Sequence, residues 1–259
     1  MVSMSFLQPI IALLQFTTIL PLGKTAPFDD FARNIWIYPI AGYVTGGIAG
    51  FILFILPVPS LVSASIGLGV IFLLTGCNHL DGLFDLGDGL MAHGSREIRI
   101  RALTDRMVGT GGIALGLIIT LIAIGSLASV PSLCASIILA EVGGKYAMAM
   151  MTTFGRPFHS GLHATLHEQT KPWFIALSTL LLLPLCILPV AWLGIGCSFV
   201  AMVLVPAVLI IIASRLFGGV NGDVTGAAGE ITRAVILTVI AGTAGYPVLM
   251  NVLSIPSLL

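Results

Sequence analysis

Charge is scarce in this chain. Only 8% of its 259 residues are Asp, Glu, Lys or Arg, and 11 basic side chains balance 11 acidic ones to a formal net charge of zero. Such a balance offers no basic surface to nucleic acid, and that class of partner is set aside. Cysteine is sparse too. Cys77, Cys134, Cys186 and Cys197 lie apart in apolar stretches without a CxxC pair. That excludes a disulfide framework and a zinc site of ordinary spacing, and predicts buried free thiols. The opening residues, MVSMSFLQPII, have no basic n-region, so a cleaved signal peptide is not expected. There is no GxSxG elbow, no P-loop and no HExxH pair, which removes three common hydrolytic and phosphate-binding chemistries.

Hydrocarbon takes the place of charge. Hydrophobic residues make up 57% of the chain and the mean hydropathy is +1.09, far from soluble proteins. The apolar runs reach the roughly 17 to 25 residues that a bilayer crossing needs. The expected fold class is all-α: a polytopic integral membrane helical bundle of about seven to eight transmembrane helices, one domain over residues 1–259. Residues 4–22, with Pro9, Gln15, Thr17 and Thr18, fit either a span or an interfacial segment. Spans are expected from about Asn34 to Leu56, Leu61 to Cys77, Gly109 to Val130 and Leu133 to Thr153. Three more run from about Trp173 to Leu188, Gly196 to Arg215 (bent at Pro206) and Ala234 to Leu253. Gly42, Gly46 and Gly50 recur every fourth residue, a spacing that lets another helix approach closely.

Threading these spans places four polar segments, 23–33, 78–108, 154–171 and 215–233, on one side. The opposite turns, near Pro57, Pro131 and Pro189, carry no charge. Every arginine, and every lysine but Lys145, lies on the first side or at its boundary. The positive-inside rule makes that side cytoplasmic, in a multi-pass protein of the cell membrane. A polar site gathered on one surface is not what a channel or transporter requires, since those place polar groups at the midplane of several spans.

The densest charge lies in NHLDGLFDLGDGLMAHGSREIRIRALTDR, Asn78 to Arg106. Asp81, Asp85 and Asp88 are spaced i, i+4 and i+7, so a helix puts all three on one face. Carboxylates so close to each other and to hydrocarbon repel unless neutralised. A hard divalent cation, Mg²⁺ or Mn²⁺, neutralises clustered oxygens best, so these three are the candidate metal ligands. Glycines directly after Asp81 and Asp88 leave room for a ligand to approach the backbone. The competing reading is a solvated helix face, with Asp85 or Asp88 paired to Arg96 or Arg99.

Three further groups stand out. Glu141 and Lys145 sit at i, i+4 inside a span, the order that favours an ion pair, and ionisable residues at that depth are functional candidates. Asp223 and Glu230 lie in a glycine-rich stretch, read as a loop that presents N–H groups and carboxylates to phosphate or metal. His159, His163 and His167 would align on a helix. With no adjoining Cys or carboxylate, an interface or substrate contact fits them better than zinc.

These motifs resemble those of one family, the cobalamin synthases (adenosylcobinamide-GDP ribazoletransferases). NHLDGLFDLGDGLMAHGSR is similar to that family's GxHLDGLxDxxDGxxxxxSR signature, LTDRMVGTGGIAL to its MxDSxxGxxGxxAL segment, and FGGVNGDVTGAAGE to its GGxTGDxxGAxxE element. FTTILPLG and FARNIWIYPIAGYVTGGIAG resemble two further segments, so nearly the whole chain is covered. Ile19, Asn78, Arg106 and Lys145 depart from the usual residues. The resemblance implies attack of an α-ribazole hydroxyl (or that of its 5′-phosphate) on adenosylcobinamide-GDP, with release of GMP. It also implies Mg²⁺ on Asp81, Asp85 and Asp88, with Asp105 completing the site. His79, or a carboxylate outside the metal shell, would take the proton. Arg96 and Arg106 would hold phosphate oxygens, with Lys145, Gly222, Asp223 and Glu230 completing substrate binding. The lipid bilayer is the remaining partner, and the oligomeric state, homo-oligomer included, stays open. An alternative is a CDP-alcohol phosphatidyltransferase-like enzyme, whose motif opening fits Asp85 and Asp88 but not His93. A cation or corrinoid transporter is the other.

Overall fold

The structure, a computed structural model, describes residues 7–246. Its elements are α1 (Gln8–Thr17), α2 (Phe28–Ala32) and a 3-10 turn over Ile35–Ile37 that runs into α3 (Tyr38–Ile55). Next come α4 (Ser60–Leu74), α5 (Asn78–Met91), α6 (Arg96–Leu103), α7 (Thr110–Ala128) and α8 (Leu133–Phe154). The chain ends with α9 (Leu162–Gln169), α10 (Phe174–Leu180) and its 3-10 extension Leu183–Ile187, α11 (Trp192–Leu216) and α12 (Gly222–Gly242). Among the described residues there is no strand, only an isolated bridge between Pro157 and Val220.

Five helices are long and apolar enough to cross a bilayer by themselves: Ile35–Ile55, Thr110–Ala128, Leu133–Phe154, Trp192–Leu216 and Gly222–Gly242. Two bent pairs, α4 with α5 at 95° and α9 with Phe174–Ile187 at 90°, bring the number to seven if each counts as a span. The molecule is an all-α, polytopic membrane bundle. Three expected boundaries move. The N-terminal apolar stretch yields only the 10 residues of α1 within the described part, about 15 Å of helix and too short to cross. The span expected over 173–188 breaks between α10 and the 3-10 segment containing Pro184. The last span starts at Gly222, not Ala234, and its expected end at 247–253 lies outside the described residues.

α8 and α12 form the centre. In their spans 83% and 72% of residues are buried, against 22% for α7 and 33% for α11, whose outer faces are left to lipid. α3 packs along α8, and α12 packs against α8, α5, α7 and α11. The α3–α8 contact depends on glycine: a Cβ at Gly42 would lie 2.5 Å from Val142 Cα, and one at Gly46 3.0 Å from Ile138 Cα. The four-residue glycine spacing is therefore a helix-packing face, as the sequence suggested.

The corner between α4 and α5 is made by two consecutive left-handed residues, Gly76 (φ 61°) and Cys77 (φ 58°). For cysteine that conformation costs on the order of 1 kcal/mol. The corner position also leaves Cys77 exposed instead of buried, while Cys134, Cys186 and Cys197 are half-buried free thiols.

Candidate active site

α5 is one-sided. His79, Gly82, Leu83, Leu86 and Gly87 are buried, whereas Asp81 is exposed and Asp85 half-buried. The buried face meets α12 and α7. A Cβ at Gly82 would lie 2.6 Å from the backbone oxygen of Asp223, so only glycine lets α5 press onto the first turn of α12. At Gly89 a Cβ would come within 3.1 Å of the Phe217 ring. The space beside these two glycines, expected to admit a ligand, is thus filled by protein.

That crossing carries Asp223 to the carboxylates of α5. The far acidic segment is not a loop. Asn221 caps α12, its Oδ1 accepting the Val224 N–H at 3.0 Å while its Nδ2 donates to Asp223 Oδ2 at 2.6 Å. A cavity of about 690 Å³ opens here, lined by Asp81, Asp85, Asp105, Arg106, Gly222 and Asp223 together with His159 and His163. Three of the four polar segments meet around it. A second cavity of about 280 Å³ shares Asp81, His163, Gly222 and Asp223 with the first and adds Phe16, Tyr38, His79 and Leu166.

The site is electrostatically stressed. α5 turns 95° out of the α4 direction and borders the open cavity, so we treat it as a surface limb. Burial foremost, then the carboxylates of Asp223, Asp81 and Asp88, pushes the Asp85 carboxyl up to about 7. Among the described residues no three His, Cys, Asp or Glu side chains already converge as a metal cage. The donor chemistry nonetheless fits a hard divalent cation: Asp81, Asp85 and Asp223 are all-oxygen donors around one cavity, repelling one another.

Other expected site residues stand elsewhere. Asp88 does not line the cavity: its Oδ2 accepts the Gly109 N–H at 2.6 Å and its Oδ1 the Gly112 N–H at 2.8 Å, anchoring the positive end of α7. Arg96 is exposed near Gly218 and does not line the cavity. Its neighbour Arg99 closes the end of α5, donating to the Leu90 carbonyl at 2.9 Å. His163 and His167 are fasteners. Their ring nitrogens meet the carbonyls of Gly155 at 2.9 Å and Thr152 at 2.8 Å, tying α9 to the end of α8, while His159 lies before the helix that was expected to align all three.

Glu141, Lys145 and Glu230 lie in a buried polar network behind the cavity. Glu141 does not form the expected ion pair with Lys145. Its Oε1 accepts from Arg233 Nη1 at 2.6 Å and its Oε2 from Thr45 at 2.7 Å. Arg233 also pairs with Glu230 and stacks 5.3 Å over the Phe72 ring. Lys145 turns instead to His79, Nζ to Nδ1 at 3.2 Å. The i, i+4 rule describes solvated helices; here a guanidinium between two buried carboxylates answers both at once. Sequence reasoning left Arg233 at the membrane boundary. Its signal was the i, i+3 spacing from Glu230 at the head of an apolar run.

A bundle of membrane-crossing helices with a carboxylate-walled cavity defines a membrane-embedded enzyme. More narrowly, the chain belongs to the cobalamin-5-phosphate synthase family, whose profile matches residues 9–241. It is similar to the adenosylcobinamide-GDP ribazoletransferase of Methanosarcina mazei, 34% identical over 252 residues that cover 88% of this chain and 89% of the relative. The namesake enzyme of Methanosarcina barkeri is 34% identical over 250 residues, 87% and 89% of the two chains. That of Thermococcus kodakarensis is 32% identical over 230 residues, 88% and 96%. No solved structure matches. The chain is accordingly a transferase of late cobalamin synthesis, not a CDP-alcohol phosphotransferase or a transporter.

Proposed function

We propose that this transferase moves the phosphocobinamide group of adenosylcobinamide-GDP onto a hydroxyl of α-ribazole or its 5′-phosphate. The products are adenosylcobalamin, or its 5′-phosphate, and GMP. The observation that carries the reading is the single cavity shared by Asp81, Asp85, Asp223 and Arg106, which suits a pyrophosphate brought in with a divalent cation. Asp81 and Asp85 from α5 and Asp223 from α12 would hold Mg²⁺, with Mn²⁺ as a substitute. Bound there, the cation would supply the positive charge that stabilises the leaving GMP.

The chain's own groups do the remaining work. Arg106 is placed to grip phosphate oxygens through its forked N–H groups. The inner cavity, with Phe16, Tyr38 and Leu166 in its wall, would take the acceptor, and the wall it shares with the outer cavity would bring the hydroxyl to the phosphate. As the oxygen–phosphorus bond forms and the bond to GMP breaks, the hydroxyl proton would pass to His79 of the inner cavity or to Asp105, the outer-cavity carboxylate outside the metal set. The site faces the cytoplasm of a cell membrane in this reading.

The test is purified protein in lipid, supplied with adenosylcobinamide-GDP, α-ribazole and Mg²⁺, with GMP followed over time. Asp223→Asn should stay folded and slow turnover by at least about 100-fold, the scale for a positioned catalytic group. Normal turnover in that variant would detach α12 from the chemistry.

A further inference from the structure

The buried network behind the cavity has an outlet at His79. Its members are nearly sealed: Glu141 is 2% exposed, Lys145 and Glu230 3%, and Arg233 4%. Two carboxylates and one guanidinium leave a net negative charge among apolar walls unless Lys145 is an ammonium, which makes the cluster neutral. Uncompensated charge in such surroundings is strongly disfavoured, and Arg233 pairs with both carboxylates in their ionised form, so the stable neutral cluster is the one with the ammonium. An ammonium has three N–H donors and no lone pair. The contact of 3.2 Å between Lys145 Nζ and His79 Nδ1 therefore has one polarity: lysine donates and Nδ1 accepts.

The consequence falls on the other ring nitrogen. With its Nδ1 lone pair occupied, a neutral His79 carries its proton on Nε2. Among the described residues Lys145 is the one hydrogen-bond partner recorded for the ring. A Cβ at Gly226 would stand 3.5 Å from His79 Cδ2, so α12 flanks the ring. His79 also borders the inner cavity with Asp81 and Asp223.

We propose that Lys145 is a positioning residue that locks His79 as an N–H donor toward substrate oxygen, and that His79 is not the acceptor of the hydroxyl proton. The catalytic part rests on the proposed transfer. In that step the hydroxyl oxygen bonds to phosphorus, the phosphorus–oxygen bond to GMP breaks, and the proton goes to Asp105, the carboxylate of the outer cavity that is outside the proposed metal set. Lys145 and Glu230 act from behind the site and do not touch substrate.

Two measurements test it. The first needs no substrate: ¹⁵N-histidine NMR of the lipid-reconstituted protein at neutral pH, with His79→Gln identifying the His79 signals among the five histidines. A bare Nδ1 and a protonated Nε2 are expected; a protonated Nδ1 overturns the proposal. The second uses turnover. The amide nitrogen of glutamine lies near the place of Nε2 and is always a donor, so His79→Gln should keep turnover within about tenfold of wild type, while His79→Ala loses at least about 100-fold. Lys145→Met should lower kcat in the wild-type background but cause no further loss beside His79→Gln, because lysine acts through histidine. Equal loss in His79→Gln and His79→Ala would make His79 a base and overturn the proposal. Failure of wild-type protein to release GMP would sink the transferase reading alone, since the tautomer is read independently.

Discussion

Asp85 and Asp88 lie about one helical turn apart on α5, yet their surroundings differ. The Asp85 carboxylate is held in place against burial and three like charges, so replacing it with a neutral amide relieves stress in the metal-free protein. Both oxygens of Asp88 already hold N–H groups of α7, bonds whose loss costs about 1–3 kcal/mol. Asp85→Asn should therefore keep or raise the melting temperature without metal, shrink the rise that Mg²⁺ produces, and abolish nearly all GMP release. Asp88→Asn should lower the melting temperature and leave the Mg²⁺ increment intact. A ligand that binds only the native state raises its melting temperature. Melts across a Mg²⁺ titration at constant ionic strength separate the two. If both variants lose the increment equally, Asp88 belongs with the metal ligands after all.

At the scale of elements, the helix contacts are governed by where glycine meets backbone. Gly42 faces Val142 Cα at a distance no Cβ tolerates, whereas a Cβ at Gly47, on the same helix, meets nothing within 4 Å. Gly42→Ala should force α3 off α8 and destabilise by about 1–3 kcal/mol, as overpacking does. It should also loosen the Thr45–Glu141 hydrogen bond. Gly47→Ala should be neutral or gain up to about 1 kcal/mol from helix propensity. Denaturation of the two variants in detergent checks this, and equal stabilities would show that the α3–α8 contact is not close-packed. The glycine spacing of α3 was legible in sequence because it repeats with the helix. So were α7, whose apolar run is unbroken, and α8, whose run is interrupted only by Glu141 and Lys145. α12 was not. Asp223, Glu230 and Arg233 depress the hydropathy of its first turns, but Glu230 and Arg233 pair with each other inside the protein and Asp223 opens onto the cavity. The same cause hid the site's geometry: spacing could align Asp81, Asp85 and Asp88, but only the α5–α12 crossing at Gly82 brings Asp223 to the cavity of Asp81 and Asp85.

For the whole molecule, the question is which way the cavity faces. Its walls come from α5 and α6, from the segment after α8, and from the start of α12, so these parts must share one side of the bilayer whatever the orientation. At the other end, a small cavity brings Pro131 and Pro189 together with Ala244 beyond α12, which gathers two of the three uncharged turns at the end away from the site. Orientation then rests on charge. Arg99, Arg101 and Arg106 all lie in the α6 region on the cavity side, and such clusters remain in the cytoplasm. After replacement of the exposed Cys77, single cysteines at Arg101, Ser160 and Gly222 should resist a membrane-impermeant maleimide on intact cells and react in inside-out vesicles. A cysteine at Ser60, at the start of α4 on the uncharged end, should do the reverse. Labelling of all three cavity-side positions from outside would invert the protein and place its substrates outside the cytoplasm. A split among those three would be more damaging, because residues on opposite sides of a bilayer cannot line one cavity.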